Sequence, residues 1–263
     1  GLLAAVQAAA DRWADIIEDS HTMKLNVSYY VNDAMGNGPC GNGVMTACAP
    51  IVSDNAAEDR TVEGNLLFFA NRNWYIDPTP TNDSEFDFTQ TQIVDLTPAQ
   101  QSARYNGFLE PLLEVGFRGA DNGSDANVAG NFDILSTAFH EIGHHLGVTN
   151  QFQAAQDETV DDDYDLPSSL VGGRVMAVEA TPGSEFHLVD TFPLMSGTGA
   201  GTGVRRLPAA VDVLAAAAVS GWNQIDLQRQ DFLTGTSWGT AANWVGNQVP
   251  GAADAAFIRG EFN

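Results

Sequence analysis

The chain has 263 residues, enough for a substantial core in one large domain or in two lobes around a cleft. Its 11 basic and 34 acidic residues leave a formal charge of −23, which argues against nucleic acid and anionic membranes as partners. Apolar residues make up 44%, with 14 Phe and 5 Trp, so the material is globular; no 18-residue apolar stretch occurs, so no membrane insertion through an ordinary spanning helix is expected.

The opening GLLAAVQAAADRWADII carries early charges, which makes it an amphipathic helix rather than a signal peptide. Leu3, Val6, Ala10, Trp13, Ile16 and Ile17 recur at helical spacing and predict a helix over 2–19, lying against a sheet. KLNVSYYV (24–31) alternates like a strand. Cys40 and Cys48, the only two cysteines, flank a loop rich in Gly and Asn. A local disulfide is the favoured reading there, and two free thiols are the alternative.

GNLLFF (64–69) and the following ANRNWYI form another strand region, and 77–83 is a loop. Over 97–115 a helix is expected, with Thr97 as cap and Pro98 at the first helical position. Residues 116–130, rich in Gly, Asp and Asn, read as a connector. A further helix is predicted from about Asp133 to Leu146, with Leu135, Phe139, Ile142 and Leu146 as its buried stripe and Gly147 as its stop. The acidic run 157–163 follows, and LPAAVDVLAAAAVSGW (207–222) predicts an Ala-rich helix. The tail from Leu233 is turn-rich with two tryptophans. It resembles the first turn of the Trp/Gly/Pro-rich β-modules of bacterial surface proteins, which implies a secreted or cell-surface bacterial protein that continues beyond Asn263.

The chemistry concentrates in HEIGHHLGVTN, residues 140–150. His140 and His144 are one helical turn apart and point to the same side, where two imidazoles can hold one zinc ion. Glu141 can reach a water beside the metal without taking a coordination position, as a general base must. Gly147 falls back on the histidine face, where a side chain would crowd the metal or prevent the chain from turning. His145 points about 100° away and is left out of the ligand set.

A catalytic zinc normally takes three protein ligands plus an open position. Asn150 is nearest by spacing, but its neutral amide oxygen is a weak zinc donor. Outside the helix only His21 and His187 remain. His21 follows the first helix and reads as a surface residue. His187 lies in SEFHLVDTFPLMSG, which turns through Pro193 and delivers Met195, and this makes His187 the better third ligand. Asp157, Asp161, Asp163 and Asp165 offer hard oxygens as a lesser candidate site for Ca2+, though not in EF-hand order. GTGAGTG (197–203) lacks the Lys-Ser/Thr of a phosphate loop and is expected to form a wall beside the site.

HExxHxxG with a downstream methionine in a tight turn resembles the metzincin clan of zinc endopeptidases. His140 and His144 match its first two ligands, Glu141 its catalytic glutamate, Gly147 its helix-ending glycine and Met195 its Met-turn methionine. Asn150 departs from the compact families, which place their third ligand there. The leishmanolysin-like branch, with an insertion before its third histidine, is closer in pattern. There 148–186 corresponds to the insertion, His187 to the ligand and Leu194-Met195-Ser196-Gly197 to the turn.

The resemblance implies an α+β, zincin-like two-lobe fold with a twisted mixed sheet, an active-site helix and a Met-turn. An upper lobe (1–147) would face a lower lobe (148–232), with 233–263 as tail. It implies zinc as cofactor, a protein or peptide as substrate, and peptide hydrolysis by a zinc-activated water with Glu141 as general base. The rival expectation is a catalytically inactive adhesion or binding domain that keeps the same fold.

Overall fold

A computed structural model of the chain describes residues 1–31, 47–94, 113–160, 163–165, 175–177, 186–189 and 193–225. The first helix, α1 (Leu2–Ile16), buries Ala5, Val6, Ala9, Trp13 and Ile16 along one stripe. Small alanines on that stripe let it lie close against the helix Ile134–Leu146, and the Trp13 indole N–H donates to the Phe139 carbonyl at 3.1 Å. The helix ends at Ile16, short of the expected 19, because Ile17 turns extended and bridges to Ile225.

Beneath these helices lies a four-stranded mixed sheet built around β4 (Arg60–Phe69). β1 (Lys24–Tyr30) runs parallel to it, while β2 (Ala47–Cys48) and β3 (Ile51–Asn55) run antiparallel. Alternation along β4 puts Leu66 and Phe68 into the core. Cys48 is buried on β2, and Cys40, its expected disulfide partner, lies outside the described residues. Of the expected strand around ANRNWYI, only β5 (Trp74–Tyr75) forms, paired in parallel with β8 (Phe132–Asp133).

A second sheet corrects two of the sequence expectations. β6 (Phe86–Val94) pairs antiparallel with β7 (Leu113–Asp121), which in turn pairs with β11 (Val204–Leu207). Residues 113–115, expected to close a helix over 97–115, are strand, and the rest of that helix lies outside the described residues. The connector assigned to 116–130 begins as strand up to Asp121. Cross-strand bonding overrides the local composition here, and Gly119 illustrates why glycine misled. A Cβ at Gly119 would come within 2.8 Å of Phe86 Cβ, so the glycine allows close strand approach rather than marking a loop.

The remaining helices are α2 (Ile134–Leu146), α3 (Gln153–Glu158) and α4 (Ala210–Ser220). Short strands β9 (Asp163–Asp165) and β10 (Val175–Ala177) pair antiparallel with each other after α3. α4 starts three residues later than the expected 207, because Leu207 ends β11 and Pro208 separates the two elements. The architecture is therefore α+β with a mixed sheet. One continuous core joins α1, α2, α4 and the β4 sheet, from Ala5 to Trp222.

α2 is anchored at both ends. Asp133 caps its start by accepting from the Ser136 backbone N–H at 3.0 Å. Gly147 closes it with φ at 143°, a value that favours glycine. A Cβ there would sit 2.7 Å from the Ala216 carbonyl oxygen of α4, so the crowding the glycine avoids comes from a neighbouring helix and not from the metal face.

Candidate metal centre

His140 and His144 rise from one face of α2, with ring centroids 4.6 Å apart. The segment carrying His187 approaches from the side, stacking its ring 5.4 Å from His140 and meeting His144 edge-on at 5.1 Å. One ligand atom from each of the three histidines lies within 4.8 Å of the others. Among the described residues, only His140, His144 and His187 form such a group, and they are close enough to bind one metal ion.

Backbone carbonyls fix the orientation of two of these rings. The His140 Nδ1–H donates to the Leu194 carbonyl at 2.7 Å, and the His144 Nδ1–H donates to the Val148 carbonyl at 2.5 Å. Since carbonyls only accept, each imidazole is held in the tautomer that leaves the Nε2 lone pair for a cation. Burial favours the neutral forms, pushing His140 down to about 4 and His144 well below its usual value, in His144 with help from the neighbouring histidines. Neutral, oriented imidazoles are the donor set a borderline-soft divalent ion requires, so the residues fit such a group.

The carbonyl that orients His140 belongs to a tight turn, Pro193–Ser196, in which the Ser196 N–H bonds back to Pro193. Asp212, fully buried on α4, accepts from the backbone N–H groups of Leu194 (3.3 Å), Met195 (2.8 Å) and Ala209 (2.8 Å). One carboxylate therefore holds both the turn and the start of α4, and burial pushes its pKa up to about 7 against the lowering effect of those three donors. The Leu188 N–H donates to the Met195 carbonyl at 3.0 Å, which ties the segment after His187 to the same turn. Met195 itself is fully buried beneath α2, where a Cβ on Gly143 would come within 2.3 Å of its sulfur. Gly143 thus makes room for the methionine, a requirement that helical spacing alone does not reveal.

Glu141 lies beside the trio, 4% exposed, and lines a cavity of ≈ 540 Å³ together with His140, His187 and Arg206. Its Oε2 is buried with no hydrogen-bond partner among the described residues. Desolvation lifts its pKa to about 8, and a cation held by the histidines would act in the opposite direction.

The other polar candidates fall elsewhere. His145 is buried, outside the ligand set as expected: its ring presses on Gly64 and its Nε2–H donates to the Asn65 carbonyl at 3.1 Å. His21 is half-buried, bonded through Nε2 to the Thr61 carbonyl at 2.7 Å and edge-on to Trp222. Asn150 is exposed, and its carbonyl accepts from Gln156 at 2.8 Å. Of the candidate calcium carboxylates, Asp157 and Asp165 are exposed, Asp163 is half-buried and Asp161 lies outside the described residues. The glycine-rich wall is tied back to β11, with Arg206 donating to the carbonyls of Thr198 (3.3 Å) and Gly199 (3.1 Å).

Sequence reading missed the buried ion cluster behind α2. Arg205, fully buried, donates to Asp133 through Nε and Nη2 at 2.9 Å each, to Asp83 at 2.8 Å and to Asp77 at 2.8 Å. A signal existed in the Arg205-Arg206 pair, adjacent cations between apolar Val204 and Leu207 in a chain with only 11 basic residues. Comparison of the chain with protein families, with curated proteins and with solved structures finds no match.

Proposed function

We propose that this chain is a zinc-dependent endopeptidase, resembling the metzincin clan and within it the leishmanolysin-like branch. One observation carries the reading: of three histidines close enough to share a metal ion, His140 and His187 line the same cavity as Glu141, a buried carboxylate with one oxygen unpartnered among the described residues. His140, His144 and His187 would hold the ion. Zinc bound there would supply Lewis acidity, polarising a carbonyl and lowering the pKa of water.

The remaining work falls to the chain's own groups. Glu141 Oε2 accepts the proton of the attacking water and returns it to the leaving amine nitrogen, the two transfers that amide hydrolysis needs. The Leu194 and Val148 carbonyls keep the His140 and His144 rings from rotating. Met195 forms an apolar floor beneath them, and in this reading the substrate binds in the cavity lined by α2 residues and by Gly197, Gly199, Ala200 and Gly201. In this reading 1–147 and 148–232 are the two sides of the substrate cleft, and the protein acts outside the cell or at its surface.

The test is hydrolysis of an unfolded protein substrate before and after chelation. Activity should fall to background with a zinc chelator and return on adding one equivalent of zinc. A wild-type protein that retains zinc yet cuts nothing would instead be the binding or adhesion domain.

A further inference from the structure

His140 and His144 take their places from the regularity of α2, whereas His187 comes from an irregular segment, 186–189. Two hydrogen bonds to other elements bracket it. On one side the Leu188 N–H is bonded to the Met195 carbonyl at 3.0 Å. On the other, the Phe186 carbonyl accepts from the Tyr164 phenol at 2.9 Å. The Phe186 ring moves with that carbonyl. It lies 4.2 Å from the His187 ring, meets His144 edge-on at 5.4 Å and lines the cavity.

Tyr164 is a firm anchor for such a bond. It is fully buried in the main core, at the centre of β9 and opposite Met176 of β10. β9 packs against α3 and α4, and the Asp165 N–H donates to the Glu158 carboxylate at 3.2 Å. Desolvation, and after it the nearby Glu158 charge, push the phenol pKa up. The group therefore remains an O–H donor over the pH range in which the imidazoles are neutral. Phenylalanine would fill the same core volume, and the hydroxyl adds the bond to Phe186.

We infer that Tyr164 is a positioning residue for the third ligand: its hydroxyl, acting through the Phe186 carbonyl, holds the His187 imidazole where it can share an ion with His140 and His144. The inference rests on the metal centre of the proposed function, not on hydrolysis. It gives the stretch between Gly147 and His187 a part in the site. Groups that support a metal ligand from behind set its orientation, and losing one weakens metal binding although no ligand is removed.

The experiment titrates the full chain with Co2+, followed by its visible absorbance, in wild type, Tyr164→Phe and Ser220→Ala. Ser220→Ala removes a comparable bond, from the end of α4 to the Asp59 carbonyl at 2.7 Å, and controls for a general loss of stability. Tyr164→Phe should bind Co2+ about tenfold more weakly than wild type, and Ser220→Ala should match wild type. The second measurement leaves Tyr164 in place. Exchange of its hydroxyl proton, read by NMR at the tyrosine ζ carbon, should slow when zinc is added to wild type and not when it is added to His187→Ala. A bond that favours metal binding is favoured by the metal in turn. Co2+ affinity within about twofold of wild type in Tyr164→Phe, or an equal loss in Ser220→Ala, would overturn the inference and leave the metal centre standing. If Tyr164→Phe did not fold, the exchange rate would decide alone, and a rate indifferent to zinc would overturn the inference. Failure of the wild type to bind Co2+ or zinc would overturn the proposed metal centre and the inference with it.

Discussion

Glu141→Gln should abolish hydrolysis while leaving the metal content of the protein unchanged. Loss of a positioned general base costs about 10²- to 10⁴-fold in rate. Glutamine keeps the shape of the side chain but cannot take a proton from water. Glu141 contributes no ligand to the histidine trio, so zinc stoichiometry measured by mass spectrometry should match the wild type. The substitution should not loosen the fold either. The Glu141 carboxylate is buried with an unpartnered oxygen among the described residues, and desolvation raises its pKa from 4.5 to about 8. A folded-state value above the unfolded one stabilises at low pH, and that contribution disappears as pH rises through about 8. Metal-free wild type should therefore lose stability from this group between about pH 4.5 and 8, and the glutamine variant should not. Residual hydrolysis within tenfold of wild type would remove Glu141 from the mechanism.

The largest stability effect belongs to Arg205→Met. The guanidinium is fully buried, bonded to Asp77, Asp83 and Asp133, and lies 4.4 Å from the centre of the Phe86 ring. Burial alone would weaken its charge, but the Asp133 and Asp83 carboxylates outweigh that and raise its pKa further. Removing it leaves the buried carboxylates with Arg12, 2.6 Å from Asp83, as their one remaining cationic partner among the described residues. Breaking a buried pair from one side costs about 3–5 kcal/mol. Methionine fills part of the space without supplying a charge, so urea unfolding should report a loss in that range. Arg205→Lys should recover little, because an ammonium cannot reproduce the two-pronged bond to Asp133. The effect should also reach the metal centre, since Asp133 caps the helix that carries His140 and His144. A loss below about 1 kcal/mol would mean that the cluster behaves as a solvated surface network.

These two sites differ in how far the sequence discloses them. The metal helix is legible because its constraints are local: a four-residue spacing, an apolar stripe and a terminal glycine all fall within fifteen residues. His187 is reachable by counting, as one of two histidines outside the helix. Its approach depends on the Pro193–Ser196 turn, which Asp212 holds from another helix through backbone N–H groups. The second sheet is harder to read, since β6, β7 and β11 come from three separate stretches and Gly119 disguises a strand as a loop. The Arg205 cluster is the least legible, because its three aspartates are scattered through the chain and each alone resembles a loop residue. Gly143 and Gly147 were legible as glycines but not as contacts: one makes room for Met195 and the other for Ala216.

In the proposed site His187 completes a three-histidine metal centre with His140 and His144. The most direct measurement is the zinc content of purified wild type, His187→Ala and Asn150→Ala after dialysis against a weak competing chelator. Wild type and Asn150→Ala should each retain one zinc per chain, and His187→Ala should retain almost none. Full retention by His187→Ala, or loss from Asn150→Ala alone, would mean that His187 is not the third ligand.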